Sequence, residues 1–308
     1  MDSTSRIALL IPCFNEAITI EKVIVDFKKE LPSALIYVYD NNSSDKTAEI
    51  ARKAGAIVKS EPLQGKGNVI RSMFRDINAD IYIMVDGDDT YPADAIKELL
   101  LPLWEERADI VVGDRLSNKT YLYENKRNFH NFGNNLVKKI INRAFHAQLS
   151  DIMSGYRVLS RRFVKNYPVL CDGFQLETDM TIFALDRKMP IVEVPIRYKD
   201  RPEGSESKLN TFADGSRVLL TIFNLYRHFY PLKYFSIIAG IFFFTGILCG
   251  LPVIYEYITY SYVYKVPSAI LAATFMLLAI ISFVCGLVLD SISKLNRELY
   301  ERNLKNSI

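Results

Sequence analysis

The chain has 308 residues, 49% of them hydrophobic and 24% charged, with 38 basic against 35 acidic side chains. That composition excludes a disordered protein, a collagen-like repeat and a small disulfide scaffold, and the near-neutral balance excludes a dedicated nucleic-acid binder, whose footprint is strongly basic. The four cysteines, Cys13, Cys171, Cys249 and Cys285, have no CxxC or Cys/His metal spacing and read as reduced thiols facing the cytosol or lying in lipid.

In chain order, Arg6–Ile11 reads as a strand, Ile18–Leu31 as a helix and Leu35–Tyr39 as a second strand. The short apolar run ending at Pro12 suits a strand and is too short for the apolar core of a signal peptide. Asp45–Gly55 reads as a helix closed by glycine, Ile57–Ser60 as a strand, Gly67–Ile77 as a helix and Ile81–Val85 as a buried strand. A helix over Ala93–Glu106 and a strand over Ile110–Val112 follow. Strand–helix alternation of this kind predicts an α/β domain with a mostly parallel sheet, and ligands in such sheets bind at the carboxyl ends of the strands. The polar clusters fall there: Asn15-Glu16 after the first strand, Asp40-Asn41-Asn42-Ser43 after the second, Asp86-Gly87-Asp88 after the central one.

Beyond Arg115 the pattern is less regular. Lys119–Phe145 is basic and aromatic, with an amphipathic helix as one reading; Tyr121, Tyr123, Phe129, Phe132 and Phe145 mix with Lys126, Arg127, Lys138 and Lys139. With a neutral overall charge, this is better read as a membrane-facing surface than as a nucleic-acid face. Asn210–Tyr230 places Phe212, Leu219, Ile222, Phe223, Tyr226 and Phe229 roughly on one face, and reads as a helix in the membrane interface in preference to one packed on the domain. His130, His146 and His228 show no metal-ligand or triad arrangement.

From Tyr234 to Tyr255 and from Val266 to Leu289 no charged side chain occurs. Each run exceeds the about 20 residues that a helix needs to cross the hydrocarbon core, so two transmembrane helices are expected. Arg227 and Lys233 precede the first span and Lys294, Arg297, Arg302 and Lys305 follow the second, while Glu256–Lys265 between them holds a single basic residue. The positive-inside rule then puts both termini in the cytoplasm. The expected organisation is residues 1–209 as the α/β domain, 210–233 as an interfacial region, 234–289 as a transmembrane hairpin and 290–308 as a cytoplasmic tail.

Asp86-Gly87-Asp88 closes a strand with two carboxylates on one edge and a glycine between them. Hard cations such as Mg²⁺ or Mn²⁺ take oxygen ligands of this kind and complete their shell with substrate phosphates. Asp89 reads as solvated or as a helix cap ahead of Pro92.

Together with Ile11-Pro12-Cys13-Phe14-Asn15-Glu16 and Asp40–Thr47, this motif resembles the nucleotide-sugar site of the family 2 glycosyltransferases, which have the GT-A (Rossmann-like) fold. Gly65-Lys66-Gly67, Gly113-Asp114-Arg115, Asp151–Arg157, Gly173–Asp179 and Arg201–Leu209 narrow the resemblance to the polyprenyl-phosphate glycosyltransferases, relatives of dolichyl-phosphate mannose synthase. The resemblance covers nearly the whole chain. It implies that Pro12, Asn15, Glu16 and Asp40 cradle base and ribose with Lys66 nearby, and that Asp86 and Asp88 hold the metal and diphosphate. Arg115, Arg157, Arg201 and Lys208, with Ser207, would gather around the donor and acceptor phosphates. Asp88, Arg115, Asp151 and Arg157 are the expected catalytic group. Asp151, or Glu177 with Asp179, could act as a base or orient arginines, the second being favoured. In one departure, the residues after the paired aspartates are Asp89-Thr90-Tyr91-Pro92, with Thr90 where mannose synthases carry glutamine.

The expected activity is therefore inverting transfer of one sugar from a nucleotide-sugar, with a lean to UDP-glucose or UDP-N-acetylglucosamine, onto undecaprenyl or another polyprenyl phosphate. Mg²⁺ or Mn²⁺ is the expected cofactor, and a separate flippase would move the product. A homo-oligomer or a small membrane partner is left open. The rival readings are a glycosyltransferase that extends a glycan or lipid-linked saccharide hydroxyl, which requires a general base, and an inactive GT-A scaffold.

Overall fold

The computed structural model describes residues 6–117, 128–171, 175–200, 202, 227 and 230–306, without the side chains of 128–135 and 303–306. They divide into two compact units, parted between residues 216 and 217.

The first unit is built on a seven-stranded sheet in the order β3-β2-β1-β4-β6-β5-β7. Strands β1 (Ile7–Cys13), β2 (Leu35–Asp40), β3 (Ile57–Ser60) and β4 (Ile81–Met84) pair in parallel. Strand β6 (Arg157–Ser160) runs antiparallel between β4 and β5 (Ile110–Asp114), and β7 (Ile191–Pro195) pairs parallel with β5. β4 and β5 are buried along their whole length, as strands covered on both faces must be, and so they read as unbroken apolar runs in place of an alternating pattern. β6 and β7 were not anticipated: the segment from Arg115 onward carries no regular strand–helix alternation, and β6 is a four-residue strand whose partners are distant in sequence.

The helices owe their form to apolar spacing. α1 (Ile20–Glu30) buries Ile20, Val23, Ile24 and Phe27, an i, i+3, i+4, i+7 stripe, and ends on Lys28 and Lys29, whose charge suits the carboxyl end of the helix dipole. α2 (Thr47–Lys53) follows β2, and α3 (Lys66–Asp76) turns Val69, Ile70, Met73 and Phe74 inward. A 3₁₀ turn over Ala93–Ala95 leads into α4 (Ile96–Trp104), which buries Ile96, Leu99, Leu100 and Leu103. α5 (Asn128–Phe145) holds the described part of the basic, aromatic stretch and seats Val137 and Ile141 in the core. α6 (Arg161–Asn166) is capped by Ser160, whose Oγ accepts the Phe163 N–H at 3.0 Å, and α7 (Leu176–Asp186) precedes β7. Most of the expected interfacial segment, residues 210–226, 228 and 229, lies outside the described residues, as do Tyr121, Tyr123, Lys126 and Arg127.

The second unit is a hairpin of two long helices, α8 (Pro231–Tyr260) and α9 (Val266–Asn306). Both are long and apolar enough to cross a membrane. Their apolar side chains face outward, Leu248 at 75% and Phe244 at 70% exposure, the reverse of a core helix. Gly286 lets them approach closely, since a Cβ there would lie 2.8 Å from Phe235 Cβ; small residues at contacts of this kind favour helix association in lipid. At the turn, Ser261 adopts a left-handed conformation (φ 53°) and Lys265 pairs with Glu256 at 3.0 Å. α9 runs on past Leu289 to Asn306, so the residues after the second apolar run continue as helix.

Candidate active site

The sheet gathers its chemistry on one rim. The carboxyl ends of β1, β2, β4 and β5 open there, and because β6 is antiparallel, the 151–156 segment that leads into it arrives at the same rim. Register aligns Cys13 with Asp40 and Val112 with Arg157.

On the β1–β2 side, Asn15 adopts a left-handed backbone conformation (φ 55°), which asparagine tolerates better than most residues. Its N–H donates to Ser43 Oγ at 2.9 Å and its Oδ1 accepts the Ser44 N–H at 2.8 Å, while the Glu16 N–H donates to Thr47 Oγ1 at 2.8 Å. Pro12 and Asn15 are half-buried and Glu16 is buried. Asp40 Oδ2 accepts the Ser43 N–H at 3.3 Å, whereas Asp40 Oδ1 is buried with no hydrogen-bond partner among the described residues. A buried acceptor left unmatched costs about 1–3 kcal/mol, so this oxygen is suited to an N–H or O–H brought by a ligand. Asn41 ties the next loop down: its Nδ2 donates to the Glu61 and Leu63 carbonyls at 2.9 and 2.8 Å, and its Oδ1 accepts the Gly65 N–H at 2.7 Å. That loop delivers Lys66 at the start of α3.

Lys66 Nζ lies 2.5 Å from Asp86 Oδ1 and 2.6 Å from Glu177 Oε1. Burial alone would lower the lysine pKa, but the two carboxylates outweigh it and hold the ammonium charged. Asp86 packs on Gly155, where a Cβ would stand 2.5 Å from Asp86 Oδ2, so glycine is required at 155 for the carboxylate to lie as it does. Asp88 is buried, and its Oδ1 accepts Thr90 Oγ1–H at 2.6 Å and the Thr90 N–H at 3.2 Å. The departure at Thr90 thus supplies a hydroxyl that fixes the second aspartate of the pair. Asp89 adopts a left-handed conformation (φ 58°) and pairs with Lys22 at 2.7 Å; Pro92, and not Asp89, stands at the start of the 3₁₀ turn that follows.

The third group centres on Arg115. Its Nε and Nη2 grip Asp151 Oδ2 and Oδ1 at 2.7 and 2.9 Å, and its N–H adds a third bond at 3.1 Å. Burial pushes the Asp151 carboxyl up, yet Arg115 outweighs it and holds the pKa below the ordinary value. Tyr91 OH accepts the Gly155 N–H at 2.8 Å and lies 3.5 Å from Arg115 Nη1; burial pushes its phenol up to about 12. The Arg115 guanidinium also stands over the Tyr198 ring, 5.7 Å from its centroid. Glu193 of β7 accepts the Ser150 and Asp151 N–H groups.

Arg157 departs from expectation. It is wholly buried, and its guanidinium donates to the Ile152 and Ser154 carbonyls at 2.6 and 2.9 Å and to Thr181 Oγ1 at 3.0 Å. Its place is beneath the 151–156 segment, which it braces, and its donors face protein oxygens in place of a phosphate. Glu177 holds a lysine where an arginine was expected, and Asp179 accepts from Tyr167 OH at 2.7 Å. Arg201, Ser207, Lys208, Gly173 and Phe174 lie outside the described residues. Sequence reasoning overlooked Tyr91 and Glu193; Tyr91 is marked only by its place in the Asp-Thr-Tyr-Pro run, and Glu193 by nothing beyond a charge inside an apolar strand.

The donor set at Asp86 and Asp88 is hard oxygen, and no group of three or more His, Cys, Asp or Glu among the described residues could hold a metal. This fits a Mg²⁺ or Mn²⁺ ion completed by phosphate oxygens and water, and not an all-protein cage.

A family model described as glycosyl transferase family 2 matches residues 8–167. Glycosyltransferase AglJ of Haloferax volcanii is 34% identical over 307 residues, covering 98% of each chain. The dolichyl-phosphate hexose transferase of the same organism is 27% identical over 212 residues, 69% of this chain and 90% of that one. Among solved structures, glucosyl-3-phosphoglycerate synthase from Mycobacterium tuberculosis, in complex with Mn²⁺, UDP and phosphoglyceric acid, gives a TM-score of 0.58 at 21% identity, covering 71% of this chain and 79% of that one. That last likeness is one of fold, the GT-A sheet.

Proposed function

The chain belongs to glycosyl transferase family 2, and from that premise we propose that it transfers one sugar, with inversion, from a UDP-sugar (glucose or N-acetylglucosamine) to a polyprenyl phosphate. The observation that carries this reading is the linkage of two cations to the Asp86–Asp88 edge: Lys66 directly, and Arg115 through Tyr91 and Gly155. A hydroxyl acceptor needs a general base with a pKa near the working pH. Asp151 is shifted the opposite way and locked to Arg115. A phosphate monoester has its second pKa near 6 and is largely dianionic at neutral pH, so it needs cations around it more than a base. The dolichyl-phosphate hexose transferase among the relatives supports the same acceptor class.

Asp86 and Asp88 would hold Mg²⁺ or Mn²⁺, which when bound supplies positive charge for the departing diphosphate. Asp40 Oδ1, with Pro12, Asn15 and Glu16, would meet the nucleoside. Lys66 and Arg115 would face the phosphates, with Arg201, Ser207 and Lys208 on the acceptor side. Arginine suits the task because its planar fork grips two phosphate oxygens together. The basic residues flanking the two spans favour both termini and the catalytic domain on the cytoplasmic side, and a separate flippase would carry the product across.

The test is transfer by the purified full-length protein to polyprenyl phosphate from a panel of radiolabelled nucleotide-sugars, with Mg²⁺, Mn²⁺ or EDTA and with Asp88→Ala alongside. Label entering the lipid phase from one donor, and lost with EDTA and in the variant, is the expected result. No lipid label from any donor, despite nucleotide binding, would refute the acceptor assignment.

A further inference from the structure

Glu177 touches the donor site only through Lys66, and it is buried with its side chain 7% exposed. A buried carboxylate needs a partner, and Lys66 is that partner. The same ammonium lies 2.5 Å from Asp86 Oδ1, against an oxygen that a divalent cation at Asp86 would face. Lysine and cation repel each other at such separations. Asp86 is hemmed in on its other side by Gly155, where even a methyl group would not fit. The ammonium is therefore the group that has to move, and its contact with Glu177 already exists.

Building on the donor reading above, we propose that Glu177 is a positioning residue that takes over Lys66 as cation and donor diphosphate enter, releasing Asp86 for the cation. The diphosphate offers the displaced ammonium a second anion. Cation and nucleotide then bind cooperatively, and the coupling is equal in both directions.

Mn²⁺ binding to the full-length protein in detergent, read from the EPR signal of free Mn²⁺ with and without UDP, tests this. In the wild type UDP tightens Mn²⁺ binding by about tenfold or more. Lys66→Met tightens UDP-free Mn²⁺ binding by about tenfold, because a like charge is gone, and shrinks the effect of UDP. Glu177→Gln weakens UDP-free binding. Glu177→Asp keeps the charge but draws it back by one methylene, and it behaves like Glu177→Gln. UDP-free Mn²⁺ binding by Lys66→Met no tighter than wild type overturns the proposal, as does a Glu177→Asp protein identical to wild type. Should Glu177→Gln not fold, the Lys66→Met and Glu177→Asp results decide the matter. No Mn²⁺ binding by any form, with or without UDP, overturns the donor reading and this inference with it. Joint Mn²⁺ and UDP binding that ignores Lys66 overturns this inference alone.

Discussion

Substituting Asp151 by asparagine tests the Arg115 ion pair most directly. The pair is bidentate, with side chains 3% and 12% exposed. Removing one partner of a buried pair leaves the other charge uncompensated and costs about 3–5 kcal/mol. Arg115 keeps its contact with the Tyr198 ring, and asparagine still offers one acceptor, so we expect the low end, about 3 kcal/mol. The chain has a single tryptophan, Trp104 in α4, so urea titration of the full-length protein followed by tryptophan emission reports the first unit alone. The folded pKa of Asp151 lies below its unfolded value. Its stabilisation is thus present above the unfolded pKa, about 3.9, and is lost as pH falls through the folded pKa. The gap between wild type and Asp151→Asn should be full at pH 7 and shrink in acid below about pH 4. The double variant Asp151→Asn/Arg115→Met should be less destabilised than the sum of the singles, since no charge is then stranded. On the proposed function, in which Arg115 faces the phosphates, transfer activity should fall by about 10²-fold as that group loses its orientation. An Asp151→Asn protein within about 0.5 kcal/mol of wild type at pH 7, or one whose deficit does not shrink in acid, would refute this account of the pair.

Gly155→Ala should push Asp86 aside, since the added Cβ would meet its carboxylate at 2.5 Å; we expect a folded protein by tryptophan emission with Mn²⁺–UDP binding weakened at least tenfold. Tyr91→Phe removes the acceptor of the buried Gly155 N–H and should cost about 1–3 kcal/mol in urea titration, with a fall in kcat. Arg157→Met, by contrast, should act through stability: with three buried bonds lost, the urea midpoint drops while the KM for the acceptor in whatever folds stays near wild type. A large rise in acceptor KM without loss of stability would return Arg157 to the phosphate-binding group.

What the sequence made legible follows from how local the signal was. Four of the first five strands stand out as apolar runs closed by turn chemistry, the central β4 being buried throughout, while the short, exposed β3 (Ile-Val-Lys-Ser) is marked by its place between two helical stretches. The acidic pair at Asp86 and Asp88 is visible for the same reason, as polar residues at the end of an apolar strand. The antiparallel β6 is a four-residue strand paired with segments far away in sequence, and no local period announces such a strand. The places of Arg157 and Tyr91 depend on that strand. Once β6 is inserted between β4 and β5, the segment before it brings Gly155 against Asp86 and Asp151 against Arg115. It also sinks Arg157 beneath the rim.

An arginine in a motif therefore reads as a ligand grip until the strand order is known, because residue type fixes its donors but not what they face. Two arginines of this rim make the point. Arg115 follows the carboxyl end of β5 and is held by a carboxylate, so its charge is oriented at the rim, with its side chain 12% exposed. Arg157 opens the antiparallel strand beside it and donates to two carbonyls and a threonine hydroxyl. Burial lowers its pKa, so desolvation works against the charge that a phosphate would use. On the proposed function, the same side chain serves recognition just past one strand and architecture at the start of its antiparallel neighbour.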